Sequence, residues 1–130
     1  QFSDGTLRLV GLLWSLLESD SLLLLEEPEL SLNSGIISRL PALIHRLRSK
    51  SKREGQVVLT THSYDLLSDK GIGPEEVLLL TPTSQEGTRI ESASTIDDVK
   101  NLLEGGVSIA EAVLPRVTPK DVHQLELFSV

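Results

Sequence analysis

Leu22-Leu23-Leu24-Leu25-Glu26-Glu27-Pro28-Glu29 is the stretch on which the reading of this chain turns. Four consecutive apolar residues are too few for an ordinary helix and suit a strand buried on both faces. That strand ends in two adjacent carboxylates and a proline. Open α/β sheets bind ligands outside the carboxyl ends of their strands. Carboxylates placed there offer a hard oxygen ligand for Mg²⁺ and a second group able to orient or deprotonate a water. A second apolar run, Gln56-Val57-Val58-Leu59-Thr60-Thr61, ends the same way in His62. Two strands that each deliver a polar head to one sheet edge make a candidate nucleotide-hydrolysis site.

Outward from these runs the chain alternates helix and strand. Ser3 to Ser19 reads as a helix, with Ser3 or Thr6 as its cap and Leu7, Val10, Leu13, Trp14 and Leu17 at helical spacing. After the leucine strand, Asn33 or Ser34 starts a second helix that buries Ile36, Ile37, Leu40, Leu43, Ile44 and Leu47. Pro41 kinks that helix or marks a restart, because it removes an internal hydrogen bond. Ser63 can cap a short helix from about Tyr64 to Ser68, which closes before the turn Gly71-Ile72-Gly73-Pro74. Val77 to Thr81 is a third strand, with Thr88 to Glu91 as its hairpin mate. Short helices are expected around Ile96 to Leu103 and Ser108 to Val113, and then an extended tail punctuated by Pro115 and Pro119.

Composition narrows the class. The chain of 130 residues is long enough for a real core, and its 39% hydrophobic and 24% charged shares are those of a soluble globular protein. Aromatics are confined to Trp14, Tyr64, Phe2 and Phe128, so aliphatic side chains must fill the interior. With no cysteine there is no disulfide and no Cys-ligated zinc. The longest apolar runs fall far short of the roughly 20 residues of a membrane span; the expected compartment is the cytoplasm, without a membrane partner. Net charge is −7, and Gly71 to Val130 holds ten acidic residues against four basic. An acidic domain is a poor non-specific DNA binder, because phosphate neutralisation drives that binding. Arg46, Arg48, Lys50, Lys52 and Arg53 form a local basic cluster, read as a helix end and its solvated loop.

The order of the motifs, Ser3-Asp4-Gly5-Thr6-Leu7-Arg8, a helix, the leucine strand with Glu26-Glu27-Pro28-Glu29, Leu32-Asn33, then Thr60-Thr61-His62-Ser63, resembles the C-terminal half of an ABC-type ATPase head. The nearest resemblance is to the ABC-like AAA ATPase group that includes the overcoming-lysogenization-defect (OLD) proteins, related to SMC and RecF-type heads. It covers about Phe2 to Leu80, and four motifs in order carry it. The resemblance implies an α/β, three-layer P-loop NTPase-type fold, with residues 1–95 as the C-terminal lobe of the head and 96–130 as a helical extension and tail.

Position by position, the resemblance implies the following roles. Ser3, Asp4, Gly5 and Thr6 match the signature loop, whose backbone N–H groups and serine hydroxyl grip a γ-phosphate held by the opposing subunit; Ser-Asp-Gly-Thr is also ordinary helix-capping chemistry. Glu26 matches the Walker B acid that holds Mg²⁺, and Glu27 the carboxylate that orients or activates the attacking water. Most such heads carry Asp then Glu here, so Glu-Glu lengthens the first arm by a methylene. His62 matches the switch histidine that senses the γ-phosphate, whereas His45 and His123 are expected to be structural. Asn33 falls where related heads carry the D-loop residue.

No Gly-x-x-x-x-Gly-Lys-Ser/Thr occurs in these residues. Phosphoryl transfer needs that loop, its lysine and the metal together, so this chain alone is expected to bind ATP and Mg²⁺ weakly and not to hydrolyse ATP. The start at Gln1, without methionine, suggests a trimmed piece. The expected partners are an N-terminal Walker A segment or chain, a second head in a homodimer, and a nuclease or other effector of DNA-repair or phage-defence type, with DNA reached through the complex. The alternative is a non-catalytic interaction module derived from an ATPase head.

Overall fold

A computed structural model describes residues 4–18, 21–50, 55–83 and 87–118. Ser3, Lys52, Arg53, His123 and the tail beyond Thr118 lie outside the described residues. Two compact units divide after Gly71.

In the first unit, helix α1 (Asp4–Glu18) precedes strand β1 (Leu23–Glu26), a 3₁₀ turn over Pro28–Leu30, helices α2 (Ser34–Ile37) and α3 (Leu40–Lys50), strand β2 (Val57–Thr60) and helix α4 (Tyr64–Leu67). The Asn33 side chain opens α2 by accepting the Gly35 N–H at 2.9 Å. Pro41 stands in the first turn of α3, where its missing N–H has no intrahelical partner to lose. The proline therefore marks a restart. Ser63 caps α4 by accepting the Leu66 N–H at 3.3 Å.

β1 and β2 pair in parallel, Leu23 with Val57, Leu24 with Val58, Leu25 with Leu59 and Glu26 with Thr60. With helices flanking the pair, the unit is a mixed α/β structure. Burial alternates along both strands. Leu23, Leu25, Val57 and Leu59 are half-buried, while Leu24 is 68% and Val58 44% exposed. The expected strand buried on both faces is thus corrected to one covered face. Only two strands pair here among the described residues, and Leu24 and Val58 on this side remain exposed. Leu16, Leu32, Ile37, Leu40, Leu66 and Leu67 form the core of the unit. Helix α1 differs from the sequence pattern too. Leu16 is buried and Leu9, Leu12 and Leu13 are half-buried beside it, but Leu7, Val10, Trp14 and Leu17 make an exposed stripe.

In the second unit, the strands β3 (Leu78–Pro82) and β4 (Thr88–Ser92) form an antiparallel hairpin, with Leu80 opposite Ile90. Helices α5 (Asp97–Glu104) and α6 (Ile109–Val117) follow. Leu79, Ala93, Val99, Ile109, Ala110, Ala112 and Val113 are its buried residues. α5 closes in a Schellman motif: Gly106, at φ 86°, donates to Leu103, and Val107 donates to Leu102 at 3.0 Å. α6 opens with a reciprocal cap between Ser108 and Glu111. It runs through Pro115, which was expected in an extended tail. The cap and four buried side chains fix the first two turns, and Thr118 still donates to the Leu114 carbonyl at 3.2 Å, so the lost bond at Pro115 is tolerated. No helix of the described residues is long and apolar enough to cross a membrane.

Leu40 is fully buried, whereas Leu24 faces outward. Leu40→Ala is expected to lower the unfolding free energy of the chain by about 2–5 kcal/mol. Leu24→Ser should change it by no more than about 0.5 kcal/mol. Urea unfolding of both variants checks the assignment of faces.

Candidate functional site

The site is built where the chain leaves β1. Glu27 takes φ 39° and ψ 61°, the left-handed region, and is the one non-glycine residue with positive φ among those described. The Cβ of any non-glycine residue there costs about 1–2 kcal/mol. The backbone is pinned on both sides of that torsion. The Glu27 N–H donates to the Thr60 carbonyl at 3.0 Å and lies 3.2 Å from the Thr60 hydroxyl, while the Glu27 carbonyl accepts the Leu30 N–H at 3.0 Å. Pro28 is buried directly behind it and disfavours the ordinary helical conformation at residue 27. The chain therefore turns sharply off the strand, and non-glycine residues held in this region cluster at functional sites.

His62 arrives from the end of β2. Its Nε2 lies 3.1 Å from Oε1 of Glu27, with the imidazole mostly in solvent and the carboxylate about two-thirds covered. At that exposure the pair adds little to stability; its consequence is placement. A carboxylate and an imidazole are held together at the carboxyl ends of two adjacent parallel strands.

Glu29 ties the same two loops together below this pair. Its Oε1 accepts the Thr61 hydroxyl at 2.7 Å and the His62 backbone N–H at 2.8 Å. The Thr61 oxygen in turn accepts the Ser63 N–H at 2.9 Å. Burial opposes ionisation of Glu29, but the Thr61 bond, the bonds from backbone N–H groups and the nearby His62 outweigh it and hold the carboxyl below the usual range. A carboxylate so depressed contributes stability that is present above the ordinary carboxylate pKa and is lost as pH falls through the lowered value. Sequence reading gave no role to Glu29, Thr60 or Thr61. The available signal was a third glutamate after Pro28 and two threonines at the strand end.

The other sequence candidates fall in different places. Glu26 is exposed at the last position of β1, on the open face with Leu24 and Thr60. Asp4, Gly5 and Thr6 form the first turn of α1, and a Cβ at Gly5 would stand 3.9 Å from the Ser31 carbonyl oxygen. Asn33 is exposed and engaged as the cap of α2. The structure thus brings Glu27 and His62 into contact, while Asp4, Gly5 and Thr6 lie in α1 and Asn33 at the start of α2. No group of three His, Cys, Asp or Glu able to hold a metal occurs among the described residues. Mg²⁺ is commonly held by one or two carboxylates together with waters and substrate phosphates, and a single exposed Glu26 fits that donor set. A shallow open pocket of about 180 Å³ beside β1 is lined by Arg8, Leu12, Leu24, Leu25, Glu26, Pro28, Ser31 and Leu32. It is small against the roughly 300–1,000 Å³ of ordinary ligand pockets.

The left-handed turn gives a direct test. Glu27→Gly removes the steric cost at φ 39° and should stabilise the chain by about 1 kcal/mol, raising the midpoint of thermal unfolding. A lowered midpoint would show that the turn carries no such strain.

Comparison with known families matches residues 1–69 to a family described as an AbiEii toxin-like AAA domain of a Type IV TA system. The matched span runs from α1 through α4 and includes Glu26, Glu27, Glu29, Asn33 and His62. No curated protein and no solved structure matches the chain. The family match covers just over half of the 130 residues and ends at the edge of the first unit. Nucleotide binding and ATPase-type chemistry, usually with Mg²⁺, are properties of AAA domains, and by this match the chain belongs to the AAA domain family.

Proposed function

We propose that this chain supplies the C-terminal half of an ATPase site of the ABC-like, OLD-like branch of AAA domains. The observation that carries the reading is the contact of Glu27 with His62 at the ends of two parallel strands, with Glu27 forced into a left-handed turn. In this reading Glu27 is the general base. Its carboxylate orients a water toward the γ-phosphate of ATP and takes the water's proton as the new oxygen–phosphorus bond forms. The bond from the γ-phosphorus to the β,γ-bridging oxygen breaks, releasing ADP and phosphate. His62 has two tasks. Without nucleotide its Nε2–H donates to Glu27; with ATP bound it donates to a γ-phosphate oxygen, which leaves Glu27 free to accept from the water. Glu26 holds Mg²⁺, which when bound neutralises charge on the phosphate oxygens. Ser3, Asp4, Gly5 and Thr6, the last three in the first turn of α1, serve the nucleotide of an opposing head through N–H groups and the positive end of the helix. Asn33 serves as the D-loop residue.

Completion by other polypeptide is part of the proposal. These residues contain no Walker A loop, and the negative pair Glu26–Glu27 repels an unshielded polyphosphate. Parallel sheets are usually covered on both faces, yet Leu24 and Val58 lie open. Strands of an N-terminal Walker A segment would extend the edge of the β1–β2 sheet, and its helices would cover that face. Its phosphate loop would join the site, and a second head would bring the facing signature loop. The effector inferred for the completed head is a nuclease or other factor of DNA-repair or phage-defence type. The exposed stripe Leu7, Val10, Trp14 and Leu17 also suits a second reading, an interaction module that binds a partner and turns over no nucleotide.

Glu27→Gln separates the two readings. In the head completed by its Walker A segment and dimerised, the amide keeps the shape but cannot accept the proton. ATP binding should persist, and turnover should fall by about 100-fold or more. Unchanged hydrolysis in that variant would remove Glu27 from the chemistry.

A further inference from the structure

The geometry points to Glu29 as the positioning residue of the site, the group that sets His62 against Glu27; its catalytic consequence rests on the ATPase reading above. A histidine just beyond a strand has free backbone torsions, and a ring that is three-quarters exposed is not held by packing. Its direction must then come from its own backbone. Oε1 of Glu29 takes both the His62 N–H, at 2.8 Å, and the Thr61 hydroxyl, at 2.7 Å. The Thr61 oxygen accepts from Ser63, whose hydroxyl caps α4. One carboxylate thus fixes the backbone before, at and after His62 and anchors it to the start of the next helix.

The other end of this link is equally constrained. Glu29 lies in the 3₁₀ turn that begins at buried Pro28, and the same turn receives the Glu27 carbonyl through the Leu30 N–H. Glu27 and Glu29 therefore move as one rigid turn, and any displacement of that turn displaces His62 with it. The distance between Glu27 Oε1 and His62 Nε2 is set through Glu29 rather than by the exposed ion pair. Two features distinguish this arrangement from a casual surface contact. Oε2 of Glu29 is covered and has no hydrogen-bond partner among the described residues, a cost a solvated loop carboxylate would not carry. The bonds to Oε1 also overcome that burial and keep the group ionised.

The requirement is for an acceptor at this position, not for charge as such. Glu29→Gln keeps an amide oxygen that can take both bonds, whereas Glu29→Ala removes them. Two measurements read the difference. In this chain, hydrogen exchange at the His62 amide should accelerate about tenfold in Glu29→Ala and stay near wild type in Glu29→Gln. Thr61→Val, which deletes one bond and leaves Glu29 in place, should give a smaller change in the same direction. In the completed ATPase, Glu29→Ala should lower kcat by about 10- to 100-fold with KM for ATP nearly unchanged, and Glu29→Gln should recover most of the loss. Unaltered exchange at His62 in Glu29→Ala, or Glu29→Gln as impaired as Glu29→Ala, overturns the assignment. So does a loss of ATP affinity without a loss of kcat. A completed wild-type head that turns over no ATP, together with the expected exchange pattern, defeats the ATPase reading while upholding the link from Glu29 to His62.

Discussion

The pairing of β1 with β2 extends one residue past the end of β1, where the Glu27 N–H meets the Thr60 carbonyl. The rest of the site depends on that bond. It holds a residue in the left-handed region at the point where the chain must leave the sheet, against a steric cost of about 1–2 kcal/mol. A typical hydrogen bond contributes about 1 kcal/mol net, so the Thr60 and Leu30 bonds together match the cost. The turn they fix has two products. It points Glu27 toward the end of β2, and it brings Glu29 round to the backbone of Thr61 and His62. Two carboxylates, Glu27 on the His62 ring and Glu29 on the Thr61 hydroxyl and the His62 N–H, then hold the first residues after β2. Neither the carboxylate–imidazole pair nor the Glu29 link could form if the strands slipped by a residue, because period-two geometry would turn every side chain to the other face.

The same pair of strands shows what this unit lacks. Two parallel strands with one face open are not a self-sufficient sheet, since parallel sheets are ordinarily covered on both sides. Leu24 and Val58 occupy the open face beside Glu26 and Thr60, so the apolar surface runs directly up to the candidate metal carboxylate. Whatever covers Leu24 and Val58 also approaches Glu26.

Much of this was legible in the sequence, and the failures have physical causes. Short apolar runs ending in polar heads gave both strands and their direction, and the apolar run Val77 to Thr81 followed by Thr88 to Glu91 gave the hairpin. The contact of Glu27 with His62 follows from parallel pairing once both stand at strand ends. The faces did not follow. A run of four leucines presents the same side chain on each side, so alternation carries no signal, and α1 is leucine-rich around most of its circumference. Pro115 was read as a helix breaker because its local cost is visible in sequence, whereas the cap and buried residues that offset it are not. Glu29 was invisible as a positioning group because its partners lie 32 and 33 residues away across the sheet end, and nothing local marks them.

The central claim is that Glu27 and His62 act as one unit on ATP. A double-mutant cycle on kcat in the completed, dimeric head tests it most directly, with Glu27→Gln, His62→Ala and the double variant compared with wild type. Residues that act together are strongly non-additive. The double variant should therefore be about as slow as the slower single variant. Losses that multiply, with no coupling between the two positions, would contradict the account.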